Sequence, residues 1–531
     1  MISYKQHRLE ESWDAILIGS GIGGLAAAAL LAKHAGKKVL VLERHYTAGG
    51  YTHAFHRPGY QWDVGVHYIG EVHNPGSQLR ALFDHVSDGQ LQWQPMPDVY
   101  DRILIGRNTF EFPAGRERLR AQLKTYFPKE AVATDRYLAA VTAAAKAGEL
   151  YFAEKAIPRP LARLAGGLMR ARFLRWARET TLEVLRGFST NPDWIGLVTA
   201  QWPDYGLPPA QSSFGIHSIV AAHYFEGASY PVGGAERIAQ TIAPVIEQSG
   251  GQVVVSAEVA EVIVKNGKAE GVRMADGREF RSGTIISDAG ARNTFDRLVR
   301  AQQPVRTELR RLPPSISHLS LYVGLKQSAA ELGLNGTNLW VYSTPDHDAN
   351  FARFAKDPSA PFPVLFISFP SAKDPEFERQ HTGRATIEVV TLAPYDWFAR
   401  WENTRWKRRP EDYDAFKKEL ATRMQSELER LVPAVAGKID HAELSTPLTT
   451  RHFMNYERGE AYGLAATPER FSSRSLTPHT SIPGLYLTGQ DVVSLGVAGA
   501  LFGGVITASA VLGKNLGGKI KPRAEVVVRA G

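Results

Sequence analysis

The sequence contains no cysteine among its 531 residues. This absence excludes structural disulfides, thiolate metal sites, a catalytic cysteine and a redox-active cysteine pair. It is typical of a reducing compartment, so we expect a cytoplasmic protein. We predict no metal site.

Strong charge and targeting signals are also scarce. The net charge is only +8, the first twelve residues (MISYKQHRLEES) are polar, and no nucleic-acid-binding motif is found. We therefore expect no secretory signal and no nucleic-acid partner. The length exceeds what one hydrophobic core usually supports, which predicts two or more domains.

Long apolar runs are rare, with one exception near the end of the chain, YLTGQDVVSLGVAGALFGGVITASAVLG (486–513). Residues 492–513 carry no charge, and a membrane span needs roughly 20 apolar residues. Glycines interrupt this run at positions 496, 499, 503, 504 and 513. Two interpretations follow: a membrane-spanning helix, or half of a cofactor site whose other half lies elsewhere.

A second glycine-rich stretch lies near the start of the chain. Apolar residues predict a buried strand over 15–18, a helix over 25–35 and a second buried strand over 38–42. Between the first strand and the helix stands G-x-G-x-x-G, formed by Gly19, Gly21 and Gly24. Such glycines allow a tight turn, the approach of a pyrophosphate and close helix packing.

An acidic residue completes this motif. Glu43 ends the second strand 19 residues after Gly24, where a ribose-binding acid is expected at about 20. The strand, turn, helix and acid together predict a dinucleotide site.

Glu43 is followed by Gly49-Gly50, and this E-x5-G-G pattern resembles the extended fingerprint of flavoproteins with the glutathione-reductase fold, in the branch of amine oxidases and phytoene desaturases. The resemblance implies FAD. It also implies an α/β fold in which a glutathione-reductase-type FAD-binding Rossmann domain is discontinuous and carries an inserted α+β substrate-binding domain.

In that fold a late strand ends in G-x-D and leads to a helix that faces the flavin. Here residues 484–488 would be the strand, Gly489 and Asp491 the motif, and Val497-Ala498 the start of the helix. Such a helix N-terminus favours the negative charge of reduced flavin. The uncharged stretch is therefore interpreted as half of the cofactor site.

A middle segment, residues 250–290, alternates as strands do, with hairpin turns at Asn266-Gly267 and Asp276-Gly277 and a returning strand over 283–287. The resemblance implies that this meander lies against the FAD sheet, with the backbone near Val259 at the adenine. The predicted division is an FAD-binding domain over 12–75, 225–297 and 440–513, a substrate domain over 76–224 and 298–439, and a basic tail over 514–531. The cofactor-binding candidates are Gly19, Gly21, Gly23, Gly24, Glu43, Arg44, Gly49, Gly50, Tyr51, Thr52, Val259, Gly489, Asp491, Val497 and Ala498.

Further segments resemble the retinol saturase and carotenoid isomerase branch of the phytoene-desaturase family, and most closely retinol saturase-like proteins. They are AGGYTHAF (48–55), GYQWDVGVHYIGE (59–71), HYFEGASYPVGGAERIA (223–239), FISFPSAKDP (366–375), TPLTTRHF (446–453) and AYG (461–463). The chain departs from the family pattern at Tyr51, where a small residue or cysteine is expected. A tyrosine ring there would narrow the site and alter the choice of substrate.

The resemblance implies a long apolar substrate with double bonds, such as a retinoid, a carotenoid or an unsaturated fatty acyl chain. It implies hydride transfer at carbon–carbon bonds through flavin N5. No second G-x-G-x-x-G follows a strand, so we expect oxygen, a quinone or another diffusible partner to exchange electrons. Fold does not fix direction, and saturase, desaturase and redox-neutral isomerase remain open. A non-catalytic flavin-stabilised lipid carrier and an amine oxidase also remain open.

Few polar catalysts are expected, because flavin supplies the hydride step and the protein supplies a dry tunnel. The catalytic candidates are His67, Tyr68, Tyr462 and Arg451, and Tyr230 is a further candidate for the tunnel wall. These residues could instead be a structural histidine, aromatic core packing and, for Arg451, a surface salt bridge.

The segment 155–188 mixes basic and apolar residues. Eight Lys/Arg and two acids lie between Lys155 and Arg186, interspersed with Leu164, Leu168 and Trp176. A basic amphipathic segment with Trp and Phe is typical of an interfacial helix on anionic lipid, although an ordinary solvated helix would show the same pattern. We expect peripheral membrane association. The basic tail is either disordered or a second lipid contact.

Overall fold

The computed structural model describes residues 1–157 and 159–523, and their side chains except those of 159–161 and 163. The strands, in chain order, are β1 Ile2–Ser3, β2 Ala15–Ile18, β3 Val39–Leu42, β4 Ala54–Arg57, β5 Tyr60–Asp63, β6 Ile69–Gly70, β7 Trp93–Pro95, β8 Val99–Ile105, β9 Asn108–Pro113, β10 Ala228–Pro231, β11 Gln252–Val255, β12 Val259–Lys265, β13 Lys268–Met274, β14 Glu279–Arg281, β15 Ile285–Ser287, β16 Ser317–Leu325, β17 Asn338–Tyr342, β18 Leu365–Ser368, β19 Ala385–Ala393, β20 Ile439–Ser445 and β21 Leu485–Leu487. The helices are α1 Ile22–Ala35, α2 Gln78–Val86, α3 Arg116–Tyr126, α4 Ala131–Ala153, α5 Arg159–Ala177, α6 Thr181–Arg186, α7 Pro192–Val198, α8 Phe214–His223, α9 Glu236–Glu247, α10 Ala291–Asn293, α11 Val305–Arg311, α12 His347–Lys356, α13 Pro370–Lys373, α14 Phe377–Gln380, α15 Glu411–Leu431, α16 Pro447–Met454, α17 Pro468–Ser472 and α18 Gly496–Leu512.

A six-stranded parallel sheet is assembled from both ends of the chain. Its order is β1-β11-β3-β2-β15-β21. Every residue of β2 and β3 is buried, as expected for a parallel sheet covered on both faces. The strands predicted over 15–18, 38–42, 283–287 and 484–488 are confirmed.

The two helices predicted beside the glycine-rich stretches are present, and the structure defines where each begins and ends. Helix α1 begins at Ile22, three residues before the predicted start, because Gly23 and Gly24 join its first turn. Helix α18 covers most of the uncharged stretch, and its glycines 499, 503 and 504 and Leu501 are buried against the sheet core. Among the described residues, no helix combines the length and apolar composition needed to cross a bilayer.

The predicted meander is confirmed as the antiparallel sheet β12-β13-β14. Asn266 and Gly267 connect its first two strands, with positive φ angles of 49° and 77°. Positive φ at both central positions is the geometry of a tight type I′ hairpin, which Asn-Gly favours.

The second large sheet has seven strands and is mixed, with both parallel and antiparallel pairs. Its order is β20-β16-β19-β18-β17-β8-β9. The α/β fold class is confirmed. The proposed division into domains stays a prediction, and two strands differ from it: β1 extends the parallel sheet before residue 12, and β20 joins the mixed sheet although 440–513 was assigned to the FAD-binding domain.

Helix α5 carries the predicted lipid-binding segment. Leu164 and Leu168 are 86% and 84% exposed on it, whereas Phe173 and Ala177 are buried on the opposite side. Lys155 is not part of a basic surface, because its Nζ is buried and donates hydrogen bonds to the carbonyls of Leu476 and Val492 at 2.9 and 2.5 Å. In the predicted basic tail, residues 524–531 lie outside the described residues.

Candidate cofactor and substrate site

The two glycine-rich stretches contact each other backbone to backbone. A Cβ atom at Gly23 would lie 2.6 Å from Cα of Gly489 and 2.9 Å from the carbonyl oxygen of Ala500. A Cβ atom at Gly504 would lie 2.8 Å from Cβ of Ala26. Real Cβ atoms do not come that close, so these glycines are what lets α1 and α18 pack at backbone distance. The two stretches are therefore parts of one site.

One cavity with an empty volume of about 1960 Å³ runs from the turn before α1 into the space between the two large sheets. Its wall combines the glycine-rich turn with apolar side chains of the mixed sheet, so a dinucleotide and an apolar substrate would share this cavity. The predicted site residues that line it are Gly19, Gly21, Gly23, Glu43, Arg44, Gly49, Gly50, Tyr51, Thr52, His67, Val259, Tyr462, Asp491 and Val497.

Three cofactor candidates lie beside the cavity rather than on its wall. Gly24 supports the turn, since a Cβ there would lie 2.7 Å from the carbonyl oxygen of Gly19. Gly489 contacts Gly23 through the backbone, and Ala498 packs against the apolar core of the parallel sheet. Their contribution is to backbone packing.

Glu43 stands at the end of β3, where the sequence predicts the ribose-binding acid. Its Oε2 accepts hydrogen bonds from the backbone N–H and hydroxyl of Ser20, at 2.9 and 2.7 Å, and its Oε1 accepts from the N–H of His45 at 2.7 Å. These bonds fix the carboxylate at the cavity wall, and its remaining lone pairs suit ribose hydroxyls.

Asp491 and Arg44 line the cavity and also form hydrogen bonds with neighbouring protein segments. The carboxylate of Asp491 accepts from the N–H groups of Ala291 and Leu464 at 2.8 and 3.2 Å, so it ties two other segments to the cavity wall. Arg44 donates to the carbonyls of His452 and Phe453 at 2.6 and 2.8 Å. Both residues line the cavity, and both also hold its walls together.

Asp288 is a lining residue that sequence reasoning missed. It follows β15, and its carboxyl faces the backbone of Gly21 and Gly24 at the N-terminus of α1. Burial raises the pKa of Asp288 to about 7. A protonated carboxyl there can donate to a phosphate that the helix N-terminus attracts. The available signal was its position after a strand of the parallel sheet, since ligands bind at the carboxyl ends of such strands.

The far end of the cavity is an apolar chamber. Strands β17, β18 and β19 and the loop before β18 supply its wall, formed by Trp340, Val364, Phe366, Val390 and Leu392. This chamber is continuous with the glycine-lined end. The site can therefore place an apolar molecule next to a bound dinucleotide.

His67 is the histidine predicted for catalysis, and it lies on the wall of the chamber. Its Nδ1 is 2.8 Å from Oε2 of Glu388, and its ring packs edge-on against Phe366. Burial, assisted by the nearby Lys373 cation, lowers the pKa of His67 to about 3. The imidazole is therefore neutral at pH 7, and Nε2 is the nitrogen left for a ligand.

Lys373 belongs to the segment FISFPSAKDP and lies behind His67. Its buried Nζ donates to the carbonyl of His67, the hydroxyl of Ser368 and the amide oxygen of Asn338 at 2.9, 2.7 and 2.5 Å. Burial lowers its pKa to about 7. This side chain fixes the backbone of His67.

The predicted tyrosines occupy different places. Tyr462 lines the cavity, whereas Tyr68 and Tyr230 lie behind its wall. The hydroxyl of Tyr230 donates to Asp63. The hydroxyl of Tyr68 lies 3.1 Å from carboxyl oxygens of both Asp101 and Asp204.

Arg451 is not among the residues that line the cavity, and its catalytic role stays a prediction. Its guanidinium is 3.2 Å from Oε2 of Glu402 and 2.8 Å from the hydroxyl of Tyr395. The side chain is half-buried at the outer face of α16, so its interpretation as a salt-bridge residue is correct.

Comparisons with known proteins agree with this geometry. Residues 17–86 match the family described as an NAD(P)-binding Rossmann-like domain. Putrescine oxidase, solved with putrescine bound, has a TM-score of 0.62 over 95% of this chain and 99% of its own, at 15% identity. The chain therefore shares the fold of this oxidase.

Two relatives match nearly the whole chain. All-trans-retinol 13,14-reductase from Danio rerio is 35% identical over 96% of this chain and 87% of its own length. Prolycopene isomerase from Arabidopsis thaliana is 27% identical over 94% of this chain and 83% of its own length. The family resemblance predicted from short segments is confirmed: the chain is an oxidoreductase of the all-trans-retinol 13,14-reductase family.

Proposed function

We propose that this protein is an FAD-dependent reductase that adds hydrogen across a carbon–carbon double bond of a retinoid or a similar apolar polyene. The observation that carries this proposal is the continuity of the cavity. Its glycine-lined end opens directly into the chamber formed by Trp340, Phe366 and Leu392. The full-length similarity to a retinol reductase supports the same reaction.

The residues present fit FAD. The backbone of Gly21 and Gly23 leaves space for a pyrophosphate, Glu43 is placed for ribose hydroxyls, and Val259 lines the adenine end. Bound flavin supplies hydride transfer at N5. The chain's own residues supply an apolar wall that positions the polyene and excludes water.

The source of electrons is part of the proposal. Among the described residues, only the turn between β2 and α1 carries G-x-G-x-x-G, so a nicotinamide bound beside the flavin has no second motif of this kind. A diffusible two-electron carrier such as a quinol would reduce the cofactor, and in the oxidising direction oxygen or a quinone would accept the electrons.

The test is a reaction with a defined polyene. FAD-loaded protein, reduced anaerobically with dithionite, is mixed with all-trans-retinol, and the extract is analysed by mass spectrometry. We expect a product two mass units heavier together with reoxidation of the flavin. An isomer of unchanged mass would favour a redox-neutral isomerase, which the relative from Arabidopsis thaliana supports only weakly. An unchanged substrate together with an unreactive flavin would contradict both.

We also propose that the protein works at a cytoplasmic membrane surface, from which an apolar substrate enters. Leu164 and Leu168 lie one turn apart on α5 and are almost fully exposed, and Arg172 and Arg175 are exposed on the same helix. Exposed leucines beside arginines are typical of an interfacial helix on anionic lipid.

A further inference from the structure

Asp204 is a half-buried acid on the wall of the cavity, and no sequence motif assigns it a role. It lies in a short turn of helix at Trp202–Tyr205 and lines the cavity between the glycine-rich end and the apolar wall. An acid next to an apolar ligand is costly unless it is neutral or paired.

The hydroxyl of Tyr68 stands between two carboxyls, 3.1 Å from Asp101 and 3.1 Å from Asp204. A hydroxyl has one proton, so it can donate to only one of them, and the other contact needs a proton from the carboxyl. Both contacts are hydrogen bonds when one of the two acids is neutral and donates its proton to the hydroxyl oxygen.

Asp101 has the better support for a negative charge. Asn338 and Gln201 donate to its two oxygens at 2.9 and 2.8 Å, and Lys373 interacts with it electrostatically. Hydrogen bonds to the charged form favour that form. Asp101 is thus the carboxylate, and Asp204 is the acid that carries the proton.

The surroundings of Asp204 agree with this assignment. Burial first, and then the charge of Asp101, raise the pKa of Asp204 to about 8. Within the described part of the chain, the titratable groups that interact with it from the packed elements are all acidic, and no cation is among them: Tyr68, Tyr100, Asp101, Tyr205, Tyr224, Tyr342 and Tyr462. An apolar site that keeps a carboxylic acid neutral at pH 7 is a known route to a proton donor.

We propose that Asp204 is the proton donor of the reduction, with Tyr68 as a positioning residue that links it to Asp101. This step rests on the proposed function. The π bond of the polyene breaks, one carbon forms a C–H bond with the hydride from reduced flavin, and its neighbour forms a C–H bond with the proton of Asp204. The two electrons come from the flavin, which a two-electron reductant regenerates. The carboxylate of Asp204 then accepts the hydrogen bond of Tyr68 until it regains a proton from water.

The test compares Asp204→Asn, Asp204→Glu and a matched control, Asp348→Asn, which changes a half-buried acid outside the cavity lining. General acids contribute ~10²–10⁴-fold, so we expect Asp204→Asn to lower kcat for all-trans-retinol at least 100-fold, with KM and FAD affinity little changed. Asp204→Glu should restore part of kcat, and Asp348→Asn should match the wild type.

Two readouts separate a proton donor from a structural acid. The wild-type kcat should be constant at low pH and fall above about pH 8, because the acid acts only when protonated, and Asp204→Asn should lack this descending limb. At pH 7 the infrared difference spectrum between the wild type and Asp204→Asn should show the C=O stretch of a protonated carboxylic acid. This second readout needs neither cofactor nor turnover.

Each other outcome overturns the inference. A change in KM alone would mean that Asp204 recognises the substrate hydroxyl, and a kcat within threefold of the wild type would mean that another group or water gives the proton. A missing infrared band would show that Asp204 is ionised. A wild-type protein that binds FAD but reduces no polyene would instead remove the proposed function itself, and the proton donor with it.

Discussion

Gly23 is the residue at which the two halves of the cofactor site meet. An added Cβ would lie 2.6 Å from Cα of Gly489 and 2.9 Å from the carbonyl oxygen of Ala500. Both are backbone atoms, which cannot move aside as a flexible side chain can. Overpacking of this kind costs about 1–3 kcal/mol. We expect Gly23→Ala to lower the free energy of unfolding by about this amount and to weaken FAD binding at least tenfold, as measured by urea denaturation and flavin fluorescence.

The matched control is Gly167→Ala on α5. A Cβ there meets nothing within 4 Å, and the position is helical. Ala is favoured over Gly by about 1 kcal/mol inside a helix, so this variant should be slightly more stable and bind FAD normally. Equal behaviour of the two variants would contradict close packing at Gly23.

At the scale of single residues, the sequence predicts what is local. Gly19, Gly21 and Glu43 could be found because the turn, the helix and the acid follow one another within one βαβ unit. The contact of His67 with Glu388 spans 321 positions, and that of Tyr68 with Asp204 spans 136. No periodicity reports such contacts, which is why sequence reasoning did not find Asp204.

Helix α5 is the element that should decide membrane association. Burying a leucine contributes roughly 1.5–3 kcal/mol, so loss of two exposed leucines should weaken lipid binding at least tenfold. We expect L164S/L168S to sediment poorly with vesicles that contain phosphatidylserine, while V132S on α4, also highly exposed at 72%, should bind like the wild type.

The arginines of the same helix test whether electrostatic attraction contributes to lipid binding. Each basic residue near an anionic surface contributes about 1 kcal/mol, so R172Q/R175Q should weaken binding to anionic vesicles and leave the weaker binding to neutral vesicles unchanged. Equal binding of the wild type to both kinds of vesicle would refute an electrostatic contribution, and normal binding by L164S/L168S would exclude α5 as the lipid contact.

At the scale of elements, the sequence predicted the type and position of helices and strands better than it predicted which strands pair. The strands β2, β3, β15 and β21 and the helices α1 and α18 were found because each is an apolar run that lies beside a recognisable glycine motif or turn. Strand β20 begins at the edge of the range predicted for the FAD-binding domain, yet it pairs with β16 of the mixed sheet, which is far away in the chain. A strand's partner is a property of the assembled sheet, and single-sequence patterns do not contain it.

The whole molecule brings distant parts of the chain to one ligand. Strand β2 lies beside β15, and β15 beside β21, so residues near 18, 288 and 490 meet at one edge of the sheet and line one cavity. A ligand that contacts all three segments binds only the folded chain. Its binding free energy is therefore added to the stability of the whole molecule.

This coupling predicts a ligand-specific stabilisation. Protein stripped of flavin and then given FAD at 100 times its Kd should gain about 2.7 kcal/mol of unfolding free energy. FMN lacks the adenosine that Glu43 and Val259 are placed to hold, so it should give only a small part of that gain. Thermal unfolding with FAD, FMN and no ligand measures the difference, and Glu43→Gln should bring the FAD curve toward the FMN curve. If FMN stabilised the protein as much as FAD, the glycine-rich turn and Glu43 would not be holding a dinucleotide.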